Sequence, residues 1–208
     1  MTGDEAIVTR WWWLRHAPVT TDGGRVYGQS DVLCDVSDRT AFEALARHLP
    51  KRAVWVTSQL KRTRMTAAAI RDAGLLMPEP IVEPEFAEQN FGTLQGQVRA
   101  QVFADNPDWR GFWLAPARAT PPGGESFVDV IARVGPAIAR LNSSDGGRDI
   151  VAVAHGGTIR AALAIALALE PETALAFSVD NLALTRLDHI RERGNEAWRI
   201  TSVNEAIR

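Results

Sequence analysis

Trp11-Trp12-Trp13-Leu14-Arg15-His16 is the stretch on which the fold turns: a short apolar run closed by a permanent cation and an imidazole. Such a run reads as a buried β-strand, and its polar end as a place where the chain leaves the sheet carrying chemistry. A second run, Val151-Ala152-Val153-Ala154, ends the same way in His155, followed by Gly156-Gly157-Thr158 and an apolar helix. The chain has four histidines, and His16 and His155 both fall at the C-terminal ends of predicted buried strands. In an open α/β sheet that edge is where ligands bind.

The residue types point to phosphoryl chemistry. A neutral imidazole can attack phosphorus and carry the phosphoryl group, splitting one hard displacement into two easier ones. A guanidinium keeps its charge and pairs with phosphate oxygens through a planar fork. His16 is therefore a candidate nucleophile and Arg15 its fixed countercharge. An isolated Arg-His pair would more simply be a surface ion pair beside a core histidine, so the neighbouring segments decide.

Val54-Trp55-Val56-Thr57-Ser58 reads as another buried strand, running into a helix over Leu60–Ala73. The helix N-terminus offers unpaired N–H groups near the same edge, and Arg62 lies in its first turn. Arg64 projects about 200° further round the helix, away from that edge. Glu88-Gln89-Asn90-Phe91-Gly92 sets a carboxylate in irregular chain just after a predicted strand at Ile81–Glu83. A carboxyl group there can protonate a leaving oxygen and then activate water.

In this order the segments resemble the histidine phosphatase superfamily, in its phosphoglycerate-mutase-like branch. Leu14-Arg15-His16-Ala17 is similar to its Arg-His-Gly signature, and Ser58 to Ala67 to its Ser-x-Leu-x-Arg-Ala-x-x-Thr-Ala segment. Glu88 to Gly96 is similar to its Glu-x-x-Phe-Gly-x-x-x-Gly stretch, Pro122-Gly123-Gly124-Glu125-Ser126 to its Pro-Gly-Gly-Glu-Ser loop, and Ala154-His155-Gly156-Gly157 to its second-histidine motif. The resemblance implies that His16 is phosphorylated and that Arg15, Arg62 and His155 form a cationic phosphate pocket. Glu88 would be the acid and base, with the backbone N–H of Gly156 a further donor. Tyr27-Gly28-Gln29-Ser30-Asp31 is similar to a Gly-x-x-Asp segment that borders the substrate, which makes Tyr27 and Gly28 candidate substrate contacts; a plain tight turn explains the segment equally well. Ala17-Pro18-Val19 departs from the glycine and the acidic or hydroxylic residues usual after the first histidine.

The implied activity is a metal-independent phosphomonoesterase acting on a small phosphorylated metabolite through phosphohistidine. It needs no cofactor and no metal, because arginines take the electrostatic role that Mg²⁺ fills elsewhere. A cofactor-dependent phosphoglycerate mutase is one alternative. Against it, Gln97-Val98-Arg99 replaces an asparagine-lysine pair, and Arg110 stands alone where mutases carry paired arginines. A catalytically silent phospho-ligand-binding relative is the other, disfavoured by the joint presence of His16, Glu88 and His155.

Composition bounds the rest. The 208 residues suit one domain over 1–208, with Pro116–Gly124 an inserted loop. A formal net charge of −2 and a pI near 6.1 argue against nucleic acid or anionic membrane as a partner. Cys34 is the single cysteine, so no intramolecular disulfide forms, which agrees with a reducing compartment, the cytoplasm. Residues 1–20 lack a secretory pattern, and no apolar run approaches the ~20 residues that span a bilayer. Monomer and homodimer both remain open.

The predicted elements alternate: a strand ending at Arg15, a helix opened by Ser37-Asp38, strand Val54–Thr57, helix Leu60–Ala73 and strand Ile81–Glu83. Short helices follow over Gln97–Asp105 and Asp108–Leu114, then a helix from Ser126 to Leu141 with Pro136 a bend. Strand Ile150–Ala154, helix Thr158–Leu169 and a closing pair at Ala183–Leu187 and Ala197–Val203 complete the chain. This pattern predicts a three-layer α/β/α sandwich, mainly parallel with an antiparallel part. Trp11, Trp12 and Trp13 alternate faces and are expected to pack under helices on both sides. Trp109 and Trp113 read as core or as a substrate-facing wall. His48 and His189, the latter in a polar segment before Glu192, are given no function.

Overall fold

Apolar runs too short for helices, set between amphipathic stretches, place six strands in one sheet covered by helices on both faces. The computed structural model describes residues 6–107 and 115–207. In chain order the elements are β1 (Ile7–Arg15), α1 (Arg39–His48), β2 (Ala53–Thr57), α2 (Lys61–Asp72), β3 (Ile81–Val82), α3 (Arg99–Asp105), α4 (Phe127–Ser144), β4 (Asp149–Ala154), α5 (Gly156–Leu167), α6 (Pro171–Leu175), β5 (Leu184–Glu192) and β6 (Asn195–Glu205). The sheet order is β3-β2-β4-β1-β5-β6. The first four strands run parallel, while β5 and β6 are antiparallel to their neighbours. This is the predicted sandwich.

Side-chain alternation sorts the core. Trp11 and Trp13 of β1, Val54 and Val56 of β2, and Ile150, Ala152 and Ala154 of β4 enter one cluster with Val130, Val134 and Ile138 of α4 and Ile159 and Leu163 of α5. Leu14, Trp55, Val151 and Val153 point the other way, onto Phe42 and Leu45 of α1 and Ala67 and Ile70 of α2. The period of two is the pleat itself, so each strand supplies both layers. Trp11 and Trp13 stack face to face at 4.9 Å. Trp12 lies on the opposite face, with the Arg186 guanidinium 3.9 Å from its ring centroid.

The helix starts follow from capping. The Asp38 carboxylate accepts from the Ala41 N–H, and Ser126 and Asp129 cap α4 reciprocally. Helix α4 runs unbroken through Pro136 from Phe127 to Ser144. The closing strands are longer than their apolar centres suggest, and His189 lies inside β5, buried, with its ring 4.8 Å from Trp198. Helix α6 has five residues, fewer than two turns, so no periodicity announces it. The expected helix at Asp108–Leu114, with Trp109, Arg110 and Trp113, lies outside the described residues. No helix among those described is long and apolar enough to cross a membrane.

Candidate active site

The strand order brings the two histidines together. β1 and β4 are hydrogen-bonded neighbours with Arg15 opposite Ala154, so His16 and His155 leave the sheet side by side. Their ring centroids are 5.2 Å apart. β2, on the other side of β4, delivers Ser58 and the N-terminus of α2 to the same edge.

His16 is buried, and its Nδ1 lies 2.7 Å from the carbonyl oxygen of Ala17. A carbonyl only accepts, so Nδ1 carries the proton and Nε2 keeps its lone pair. Nε2 has no hydrogen-bond partner among the described residues. Burial, then the charges of Arg62 and Arg15, push the imidazole well below its ordinary 6.5, although the bond to Ala17 acts in the opposite direction. The ring is thereby held neutral, with the Nε2 lone pair unpartnered. The backbone around it is held by Asn181, whose Nδ2 donates to the His16 carbonyl at 2.7 Å, and by Thr66, whose Oγ1 accepts from the Ala17 N–H at 2.9 Å. Ala17 has an ordinary negative φ, so the usual glycine is not required there by backbone conformation.

Arg62 is fully buried at 0% exposure and reaches back from the first turn of α2. Its Nε donates to Nδ1 of His155 at 3.2 Å, Nη1 to the Ser30 carbonyl at 2.9 Å and Nη2 to the Gly28 carbonyl at 2.6 Å. Of about five guanidinium N–H groups, three are thus engaged by protein, and one remains on each terminal nitrogen. Arg64 is exposed, on the other side of the helix, as its spacing requires.

His155 accepts from Arg62 at Nδ1, so Nε2 carries the proton, which it donates to Ser58 Oγ at 2.8 Å. Burial, followed by the charge of Arg62, holds this imidazole well below 6.5. In the ligand-free protein the standing positive charge therefore comes from the arginines. A bound phosphate dianion would raise the proton affinity of both rings.

Glu88 is 6% exposed, on the irregular chain after a single 3₁₀ turn at Pro84–Phe86. Its Oε1 accepts from the N–H of Gln89 at 2.8 Å and of Gly157 at 3.1 Å, the latter in the first turn of α5. Gly156 opens that helix directly after His155. Arg15 donates from Nη1 to the Val179 carbonyl at 2.6 Å, while its buried Nε has no partner among the described residues.

Tyr27 and Gly28 act on Arg62. The guanidinium carbon sits 5.1 Å from the centroid of the Tyr27 ring, and Gly28, at φ +44°, offers its carbonyl where a Cβ would crowd the Gln89 carbonyl and the Phe91 ring, each at 2.9 Å. Asp31 caps α2 instead of facing the pocket, its Oδ1 accepting the Lys61 N–H at 2.6 Å.

Several contributors escape the sequence reading: Ser58, Thr66, Asn181, Arg133, Glu125 and Arg160. Arg160 follows Gly156 by one helical turn, and its Nε donates to the Phe177 carbonyl at 2.8 Å. Burial lowers its guanidinium to about 10, while the charge of Glu88 opposes the shift. Ser58, Thr66 and Glu125 lie inside quoted motifs but carry no chemical signature of their own. The remaining three act on residues distant in sequence.

The model of the histidine phosphatase superfamily, branch 1, matches residues 11–206. The chain belongs to this superfamily. It is 39% identical over 166 residues to glucosyl-3-phosphoglycerate phosphatase of Mycobacterium tuberculosis, covering 74% of this chain and 73% of that protein. It is 32% identical over 164 residues to the metal-independent phosphoserine phosphatase of Arabidopsis thaliana, covering 76% of this chain and 68% of that protein. Among solved structures, the mycobacterial glucosyl-3-phosphoglycerate phosphatase in complex with VO3 superposes with a TM-score of 0.79 at 33% identity, covering 94% of this chain and 98% of that one. The candidate site gathers Arg15, His16, Arg62, Glu88 and His155 at one sheet edge.

Proposed function

We propose that this chain is a cytoplasmic, single-domain, metal-independent phosphomonoesterase that works through phosphohistidine on His16. The observation that carries the reading is the His16 ring: proton fixed on Nδ1 by the Ala17 carbonyl, Nε2 unpartnered, and the whole imidazole held neutral by burial and two arginines. A buried histidine kept as a lone-pair donor beside fixed cations is arranged for attack on a phosphorus whose oxygens those cations bind.

In the first step Nε2 of His16 forms a bond to phosphorus while the ester P–O bond breaks. The free N–H groups of Arg15 and Arg62 bind the equatorial oxygens. The short amide bonds to Glu88 fall on Oε1, from Gln89 at 2.8 Å and Gly157 at 3.1 Å, while Oε2 receives only the longer 3.4 Å contact from Gly157, so Oε2 is the oxygen that delivers the proton to the leaving alkoxide. In the second step the Glu88 carboxylate takes a proton from water, the hydroxide displaces His16, and inorganic phosphate leaves with Glu88 protonated again. His155, tied to both Arg62 and Ser58, holds the guanidinium in register.

The substrate class is a small phosphorylated metabolite. Phosphate release should be measured in EDTA against glucosyl-3-phosphoglycerate, phosphoserine, 3-phosphoglycerate and p-nitrophenyl phosphate. Release without added metal is expected from at least one of them. Transfer between the two hydroxyls of phosphoglycerate without net release would indicate the mutase instead, and no turnover of any phosphate would refute the reading.

A further inference from the structure

The Pro122-Gly123-Gly124-Glu125-Ser126 loop and the first turns of α4 take no part in the chemistry above, yet they bracket Glu88. Arg133 donates from Nη1 to the Glu85 carbonyl, and from Nη2 to the Ala87 carbonyl at 2.9 Å and the Glu88 carbonyl at 3.2 Å. Thr158 Oγ1 lies 3.0 Å from the carbonyls of both Phe86 and Ala87, and Gln29 Nε2 donates to the Glu88 carbonyl at 2.9 Å. All four consecutive carbonyls from 85 to 88 are therefore held.

Glu125 completes the bracket. It grips Arg133 with two parallel bonds, Nε to Oε2 and Nη2 to Oε1, each 2.9 Å. Its Oε1 also accepts the N–H of Asn90 at 2.8 Å, on the far side of Glu88. The loop comes this close because residue 124 is glycine: a Cβ there would overlap the Asn90 carbonyl and crowd the Gly92 nitrogen. The two side chains are 17% and 18% exposed, which shields the pair from most of the screening that makes surface ion pairs weak.

We infer that Arg133, clamped by Glu125, is the positioning residue that sets the Glu88 carboxyl at the leaving oxygen. The inference rests on the reading of Glu88 as acid and base. Arg133 touches no reacting atom; it acts on the backbone that carries one. An ion pair serving stability alone would have no need to fan one guanidinium across three carbonyls of a single loop. A general acid, by contrast, must be held to within roughly 0.5 Å. A lysine at 133 would keep the charge and lose the planar fork.

The test is kcat/KM across aryl and alkyl phosphates of graded leaving-group pKa, which reports only steps up to leaving-group departure. Wild type, Glu88→Gln, Arg133→Lys, Glu125→Gln and the double variant Glu88→Gln/Arg133→Lys are compared. Arg133→Lys is expected to lose about tenfold or more on an alkyl phosphate but less than about threefold on p-nitrophenyl phosphate. It should add little once Glu88 is already glutamine. Equal losses along the series for Arg133→Lys, with Glu88→Gln still selective, would overturn the positioning role and leave Glu88 as the acid. A flat response in Glu88→Gln would overturn both. Should Arg133→Lys fail to fold, Glu125→Gln keeps an acceptor for the Asn90 N–H while removing the clamp's charge, and is judged by the same criteria.

Discussion

Replacing Arg62 with lysine separates charge from geometry at the centre of the proposed phosphate pocket. The guanidinium is completely buried and satisfies His155 Nδ1 and the carbonyls of Ser30 and Gly28. A lysine ammonium carries the same charge on a point, so it can answer some of these acceptors or the phosphate oxygens, but not both sets in one plane. Loss of a preorganised donor pair facing developing charge costs about 2–4 kcal/mol in the transition state, or roughly 30- to 1,000-fold in kcat/KM. Each carbonyl left without a donor costs about 1–3 kcal/mol in stability, so the thermal midpoint should fall as well. The assay is steady-state hydrolysis of p-nitrophenyl phosphate, with Arg64→Lys on the exposed side of α2 as control. Activity of Arg62→Lys within threefold of wild type, or greater sensitivity at Arg64, would refute the assignment of this helix face.

The buried histidines make stability depend on pH. Both folded-state pKa values lie below the ordinary 6.5, so as pH falls the unfolded chain takes up protons first and stability is lost below about 6.5. The slope should reach about 1.4 kcal/mol per pH unit for each histidine, while the carboxyls of Asp31, Asp35 and Asp129, all held below 3.8, enter only near pH 4. Urea unfolding at pH 7.5 and 5.5 measures this, and equal stability at the two values would contradict the neutral-imidazole account. Gly28→Ala combines a left-handed backbone with crowding against Gln89 and Phe91, worth about 2–5 kcal/mol together. Calorimetry should show a lower midpoint and kinetics a lower kcat/KM, because the carbonyl supporting Arg62 moves; an unchanged midpoint would mean the turn relaxes freely.

Arg15, His16, Arg62, Glu88 and His155 are legible as candidates because each ends a strand or lies in the chain that follows one, and strand ends declare themselves through apolar runs that stop. The outward direction of Arg64 followed from helical geometry alone. Arg133 was not legible: in sequence it is one more charged residue on an amphipathic helix, and only the fold brings it against the carbonyls of Glu85, Ala87 and Glu88. Asn181 is similar, since its bond to the His16 carbonyl spans most of the chain. His189 falls outside the predicted strand because Asp188, Arg191 and Glu192 around it are polar. β5 pairs with β6, which ends the sheet with much of its surface in water, so the usual hydrophobic alternation fades although the backbone is fully paired and His189 is covered by Trp198.

Trapping the covalent intermediate tests the central claim most directly. Wild-type protein mixed with a ³²P-labelled phosphomonoester and quenched in alkaline detergent, where an N–P bond survives, should carry label on the peptide containing His16. His16→Ala should remain folded, take no label and turn over no substrate. Label on a serine, label that survives an acid quench but not the alkaline one, as on an aspartate, or full activity in His16→Ala would contradict the account.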